Sequence, residues 1–139
     1  MYVLDTNTVI YYFKGMGRVA SLMASTNPSE LAIPTVVLFE LYVGIAKSNN
    51  SDKRRQQLSS LLSYIQILPF TQAMAETAAT VRATLEKQGQ PIGPFDGLIA
   101  GTALAEKATL VTHNTREFSR VEGLSLVDWY LGEQVNGAE

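Results

Sequence analysis

The chain has 139 residues, a net charge of −2 and no cysteine; 46% of its residues are apolar and 17% are charged. These values predict one folded domain with its own hydrophobic core, and they exclude a disordered chain or one held together by disulfides. There is no charged N-terminal region before an apolar stretch, and no apolar run approaches the ~18 residues of a membrane span. We therefore predict a cytoplasmic protein without membrane contact.

In the first half of the chain, the spacing of apolar residues predicts short apolar strands that alternate with helices. The predicted elements are, in order, a buried strand at residues 2–5, a helix from Thr8 to Phe13 that Gly15 ends, a short helix around Val19 and Met23, a strand from Leu31 to Ile33 that Pro34 stops, and an apolar helix from about Thr35 to Lys47.

The second half continues the same alternation. The predicted elements are a helix from about Ser51 with an apolar stripe through Leu58, Leu61, Leu62 and Ile65, a strand at Ile67 and Leu68, an alanine-rich helix at 72–88, a helix that begins at Pro94, a strand at 109–112, a helical turn from Asn114 to Phe118, and a last edge strand at 124–129. We expect one domain over residues 1–130 and a frayed C-terminal tail over 131–139.

This alternation predicts an α/β fold, with a short, twisted, mostly parallel sheet flanked by helices on both faces. In such folds ligands bind beyond the carboxyl ends of the strands. Asp5 ends the first predicted strand, and Asn114 comes just after another. The position of these two residues makes this end of the sheet the candidate site.

Glu40 is the most informative acidic residue, because the helix around it is apolar on nearly all sides. We expect such a helix to be buried, and a buried carboxylate must be paired or bound to a metal. No basic residue lies three or four positions away from Glu40. The alternatives are that Glu40 lies on a narrow exposed stripe or pairs with a distant arginine.

The other candidate residues each have a purely structural interpretation. Asp5 suits the N-cap of the helix that follows it, and Asp96 suits the first turn of its own helix, where an acid complements the helix dipole. Asn114 and Glu117 have the spacing of a capping box. Taken together, however, Asp5, Glu40 and Asp96 predict converging carboxylates, and oxygen ligands favour Mg²⁺ or Mn²⁺.

A zinc site is disfavoured, since the chain has no cysteine and a single histidine, His113. We expect His113 to lie beside the candidate site as a strand-end residue rather than to act as a base.

Four segments of the chain, in this order, resemble the PIN-domain ribonucleases of the VapC toxin type. They are VLDTN at 3–7, ELYVGIAKS at 40–48, GQPIGPFDGLIAGTALA at 89–105 and LVTHNTREFSRVEGLSLVDW at 110–129. The resemblance covers roughly residues 2–129 and implies a doubly wound α/β domain that cuts RNA with Mg²⁺ or Mn²⁺.

The resemblance also assigns roles to particular residues. Many family members have Asp at the position of Asn114, and this departure removes one charge from the site. The implied catalytic residues are Asp5, Glu40, Asp96 and Glu117; the implied metal ligands are Asp5, Asp96 and Glu40; the neutral or supporting residues are Thr6, Asn7 and Asn114; and the candidate RNA-binding residues are Lys47, Arg82 and Arg116.

The resemblance implies three partners: an RNA substrate, a cognate VapB-type antitoxin and a second copy of the chain in a homodimer. The RATLEKQGQPIGPFD and NTREF segments resemble toxins that cut initiator tRNA in its anticodon loop.

Two other functions remain open at this point. A phosphatase of the haloacid-dehalogenase type also begins with a strand and a D-x-D-x-[TV] motif, which Asp5 to Val9 matches except that Asn7 replaces the second Asp. The other alternative is a PIN domain that has lost catalysis and binds RNA or protein.

Overall fold

The computed structural model describes residues 1–134, which form six strands and seven α-helices. The strands are β1 (Tyr2–Leu4), β2 (Leu31–Pro34), β3 (Gln66–Leu68), β4 (Thr109–Val111), β5 (Ser125–Asp128) and β6 (Glu133–Gln134). The helices are α1 (Thr6–Lys14), α2 (Val19–Ala24), α3 (Thr35–Ala46), α4 (Ser51–Leu62), α5 (Gln72–Lys87), α6 (Pro94–Ala105) and α7 (Thr115–Phe118). None of these helices is long and apolar enough to cross a membrane.

The strands form one sheet in the order β3-β2-β1-β4-β5-β6. β1 to β5 are parallel, and only β6 runs antiparallel, against β5. These pairings confirm the predicted mostly parallel α/β sheet. Connections between parallel strands are almost always right-handed, and with this strand order that rule assigns α1 to α4 to one face and α5 to α7 to the other. The strand order reverses its direction at β1 and β4, and ligands bind beyond the strand ends at such a point.

The core lies between the sheet and these two helix layers. Val3, Leu4 and Leu110 on the two central strands are fully buried, as expected for strands covered on both faces. On one face α6 packs closely along α5. A Cβ added at Gly101 of α6 would come within 2.5 Å of the Ala78 Cβ, so only glycine allows the two helices to approach this far.

The structure differs from the predicted elements at several element ends. α1 begins at Thr6 rather than Thr8, because Asp5 caps the helix from outside. The strand at the end of the chain, β5, is not an edge strand, because β6 pairs with it. The tail expected to be frayed from Leu131 instead forms a turn and β6 over residues 131–134; residues 135–139 lie outside the described part of the chain.

Candidate active site

Asp5 follows β1 at the centre of the sheet and is buried. Its carboxyl accepts a hydrogen bond from the Thr8 backbone N–H at 2.9 Å, and the Thr112 side chain also bonds to it, whereas the Thr8 hydroxyl donates to the Val111 carbonyl at 3.1 Å. Burial is the main cause that raises the Asp5 pKa; these hydrogen bonds lower it, and the nearby charge of Glu40 raises it further. Asp5 is therefore both the predicted cap of α1 and an acid held at the switch point of the sheet.

Glu40 lies on α3 and is partly exposed. The Thr6 hydroxyl donates to Glu40 Oε1 at 2.5 Å, which ties α3 to the start of α1. The expectation that α3 is buried on all sides is wrong, because Phe39, Tyr42 and Val43 are exposed. Glu40 lies at the boundary between this apolar exposed face and the buried one, so its carboxylate reaches solvent while its charge acts on Asp5.

Asp96 lies in the first turn of α6 and is half-buried. Burial, followed by the negative charges of Asp5, Glu40 and Glu117, raises its pKa to about 6. The N-terminal end of a helix stabilises a carboxylate and thus lowers its pKa. The opposite shift at Asp96 means that burial and repulsion outweigh the helix end, so a helix-dipole role does not account for this residue.

Repulsion from Asp5, Glu40 and Glu117 reaches Asp96, so these four carboxyls lie near one another at the carboxyl ends of the central strands, around the candidate cleft. As the side chains stand, no three His, Asp or Glu residues in the range 1–134 are close enough together to enclose a metal ion. The two observations are compatible, because like charges without a counterion keep apart. The donor set fits Mg²⁺ or Mn²⁺, which bind carboxylate oxygens and retain several waters.

Asn114 and Glu117 lie at the β4 side of this cleft. Asn114 immediately precedes α7, but its side chain makes no capping hydrogen bond, so the predicted capping box is not formed. Its backbone N–H instead donates to Thr112 Oγ1 at 3.0 Å. Of the other neutral candidates, Thr6 contacts Glu40, whereas Asn7 is exposed on the first turn of α1.

Thr112 is the site residue that the sequence interpretation missed. Its side chain is fully buried and bonds to the Asp5 carboxyl. Leu4 pairs with Val111 in the sheet, so Asp5 and Thr112 are the next residues on two adjacent strands. A polar residue directly after an apolar strand was the available signal, but only the strand order places it beside Asp5.

The candidate RNA-binding residues are dispersed. Lys47 ends α3, and Arg116 lies on α7 next to Glu117; both are exposed. Arg82 pairs with Glu86 one turn along α5, at 3.0 Å, so its charge is partly compensated. RNA binding by these three residues stays a prediction.

Comparison with known proteins agrees with this geometry. Residues 2–124 match the model of the PIN domain family. The chain is 37% identical to the tRNA(fMet)-specific endonuclease VapC of Shigella flexneri, over 92% of this chain and 97% of that one. It is 36% identical to the ribonuclease VapC2 of Rickettsia felis, over 93% and 98%.

The fold also matches a solved structure, that of VapBC2 from Rickettsia felis bound to a DNA fragment from its promoter. The TM-score is 0.87 at 35% identity, over 92% of this chain and 98% of that one. The chain therefore belongs to the PIN domain family and, within it, to the VapC ribonucleases. This assignment excludes the phosphatase alternative and does not favour a domain without catalysis.

Proposed function

We propose that the protein is a VapC-type endoribonuclease toxin that hydrolyses RNA phosphodiester bonds with Mg²⁺ or Mn²⁺. The observation that supports this most directly is that Asp5, Glu40, Asp96 and Glu117 gather at the switch point of the sheet, where burial and then the three neighbouring charges raise the Asp96 pKa. Four carboxyls in one cleft destabilise the metal-free fold, and a divalent cation relieves that repulsion.

Asp5, Asp96 and Glu40 are the residues that would hold the cation, with Glu117 and the neutral Asn114 beside them. When bound, the cation lowers the pKa of a water molecule and neutralises negative charge on the phosphoryl group. The chain fixes its ligands in advance: the Thr8 N–H and the Thr112 hydroxyl orient Asp5, and the Thr6 hydroxyl orients Glu40.

Glu40 is also suited to accept a proton from the attacking water, because it is partly exposed while one of its oxygens is held by Thr6. This route needs no attack by the ribose 2′-hydroxyl. We therefore expect products with a 5′-phosphate and a 3′-hydroxyl. Lys47, Arg82 and Arg116 supply the positive charge that attracts the RNA backbone in a chain whose net charge is −2.

We assign initiator tRNA as the substrate, on the basis of the Shigella flexneri relative and of the matching segments at 82–96 and 114–118. The partner is a VapB-type antitoxin, as in the VapBC complexes. A groove of about 270 Å³ supports this, since it begins at Glu40 and has apolar walls that include Phe13, Leu41 and Leu58. A partner segment in this groove covers the active site.

We also propose that the protein acts in the cytoplasm as a homodimer, and the exposed face of α3 supports the dimer. Phe39, Tyr42 and Val43 form an apolar strip that continues to the exposed Phe95 ring, whose centroid lies 5.5 Å from that of Phe39. Exposed apolar patches of this kind mark protein interfaces.

The test is a cleavage assay on purified protein with total tRNA and with initiator tRNA alone, in Mn²⁺ and in EDTA. Sequencing of the RNA ends should find one cut, in the anticodon loop, that needs the metal and leaves a 5′-phosphate. Cleavage that persists in EDTA would contradict the metal-dependent mechanism, and cuts spread over unrelated RNAs would contradict the tRNA assignment.

A further inference from the structure

Asp128 is a buried carboxylate that the proposed mechanism does not use. It ends β5, and three N–H groups donate to it: His113 Nδ1 to Oδ2 at 2.8 Å, and the Tyr130 and Leu131 backbone N–H groups to Oδ1 at 2.9 and 3.2 Å. A buried carboxylate is costly unless hydrogen bonds replace its lost water. These three hydrogen bonds replace the water that Asp128 loses on burial, and the one from His113 connects this carboxylate to the candidate site.

The His113 ring is held in place by more than this bond. Its plane stacks on the Tyr130 ring, with centroids 4.3 Å apart and an interplanar angle of 20°, and the Tyr11 ring meets it edge-on at 6.0 Å. Tyr130 is in turn fixed by the Arg18 N–H, which donates to its carbonyl at 3.0 Å, and by Gly17, where an added Cβ would come within 2.7 Å of the ring. The imidazole thus has one orientation.

His113 lies between two residues of the candidate site. On one side, the pairing of Leu4 with Val111 and the bond from the Asp5 N–H to the Val111 carbonyl place Thr112 beside Asp5. The Thr112 hydroxyl accepts the Asn114 N–H, so its single proton is free to donate to the Asp5 carboxyl. On the other side, Asn114 begins the segment that carries Glu117. Fixing the His113 side chain therefore fixes the backbone on which the Thr112 hydroxyl and Asn114 depend.

We propose that His113 is a positioning residue: through its hydrogen bond to Asp128 it holds the strand-end segment 112–114, and so holds the Thr112 hydroxyl on Asp5. This inference rests on the proposed function, since Asp5 is taken as a metal ligand. Groups that support metal ligands in this way change metal affinity or activity by roughly 10–100-fold when they are removed.

Two variants separate the hydrogen bond from the ring stacking. His113→Asn keeps an N–H donor near the Nδ1 position but loses the ring, whereas His113→Phe keeps a ring for Tyr130 but loses the donor. We expect His113→Phe to lower kcat and Mn²⁺ affinity roughly 10-fold or more with KM for RNA nearly unchanged, and His113→Asn to stay within about threefold of wild type. Should His113→Phe not fold, His113→Gln, which displaces the donor by one methylene, takes its place.

A double-mutant cycle tests the route through Thr112. If His113 acts through the Thr112 hydroxyl, His113→Phe added to Thr112→Val causes little further loss, because the group it positions is already gone. The metal-free protein offers an independent measurement: hydrogen exchange of the Asn114 amide should be faster in His113→Phe than in wild type and in His113→Asn.

The proposal is overturned if His113→Asn loses as much activity as His113→Phe, because the ring and not the bond then matters. Fully additive losses in the cycle, or unchanged Asn114 exchange, also overturn it. Failure of the proposed function gives a different result, since wild-type protein then neither cleaves RNA nor binds Mn²⁺ while the effect on Asn114 exchange remains measurable.

Discussion

Asp5 and Asp128 are buried aspartates at the carboxyl ends of two parallel strands, β1 and β5, with 5% and 3% of their surface exposed. Their neighbours differ. Asp128 accepts three N–H donors, one of them from His113. Asp5 has fewer donors and faces other carboxyls, and its pKa is raised by burial and by Glu40.

Burial at a strand end therefore does not by itself identify a catalytic acid. A carboxylate whose oxygens are all occupied by fixed donors stabilises the fold. One that is left under-bonded among like charges is destabilising without a cation, and such strained sites coincide with function. Variants at the two strand ends and around them should therefore behave differently.

The largest effect is expected from the matched pair Asp5→Asn and Asp128→Asn. Asp5→Asn should reduce RNA cleavage on the order of 10³-fold, because it removes a charged ligand. It should leave the melting temperature unchanged or slightly higher, since it relieves repulsion. Asp128→Asn should lower the melting temperature and reduce cleavage far less. Equal losses of cleavage in the two variants would remove the distinction between the two strand ends.

Glu117→Ala should lower turnover roughly 10–100-fold, as loss of a ligand or supporting group does. The structure shows no capping hydrogen bond from Asn114, so no cap is lost and stability should hardly change. The control is Glu122→Ala, an exposed acid just beyond α7. Turnover and melting temperature, measured for both variants, show whether Glu117 acts in the site or in the fold. If Glu117→Ala loses activity only in proportion to a lower melting temperature, its role is structural.

Much of the fold and part of the site could be predicted from the sequence. The strand positions and the parallel sheet follow from short apolar runs between helices. Asp5 could be recognised because a carboxylate ends such a run. Thr112 could not, since its role depends on β4 lying next to β1, which is a long-range pairing that no local pattern specifies. The Asp128 site was missed for the same reason.

The predicted burial of α3 failed for a different reason. Hydropathy reports how apolar a helix is, but not which partner covers it. The apolar face around Phe39 is exposed in the single chain. A pattern typical of a core helix and one typical of an interface helix are therefore the same pattern, and only the packed structure separates them.

Glu40→Gln tests whether the third acid belongs with Asp5. In wild type, Mn²⁺ at about 100 times its Kd should stabilise the fold by about 2.7 kcal/mol, because it binds only the folded state. Glu40→Gln should show much less of this rise in melting temperature, whereas Glu76→Gln, at an exposed position on α5, should show all of it. An equal rise in all three proteins would place Glu40 outside the metal site.

The pH dependence of stability should distinguish the candidate site, which includes Asp96 on α6, from the strand end at Asp128. Burial and neighbouring charges raise the Asp96 pKa from 3.8 to about 6. The folded state thus holds this proton more firmly than the unfolded state, and the stability it contributes is lost as the pH rises through about 6. In EDTA, the free energy of unfolding should fall by roughly 1–2 kcal/mol from about pH 4 to pH 7, allowing for solvent screening.

Urea unfolding at several pH values measures this fall. Asp96→Asn should make the fall smaller, since one of the two acids with a raised pKa, Asp5 and Asp96, is then gone, whereas Asp128→Asn should leave it in place. Saturating Mn²⁺ should abolish it. A fall of the same size in Asp96→Asn would assign the effect to other groups.

The smallest effect is expected at Asn114, where many relatives carry Asp. Its neutral side chain leaves the cleft with one negative charge fewer, and each charge withdrawn from an oxygen site weakens its hold on a divalent cation. Asn114→Asp should therefore tighten Mn²⁺ binding by about tenfold, or about 1.4 kcal/mol, as measured by calorimetry. The same change should lower the free energy of unfolding in EDTA, because it adds a fifth carboxyl to the four that already repel one another. Asn114→Ser is the neutral control and should do neither. If Mn²⁺ affinity is the same in all three proteins, Asn114 does not face the cation, and its contribution to the site is limited to the backbone N–H that it donates to Thr112.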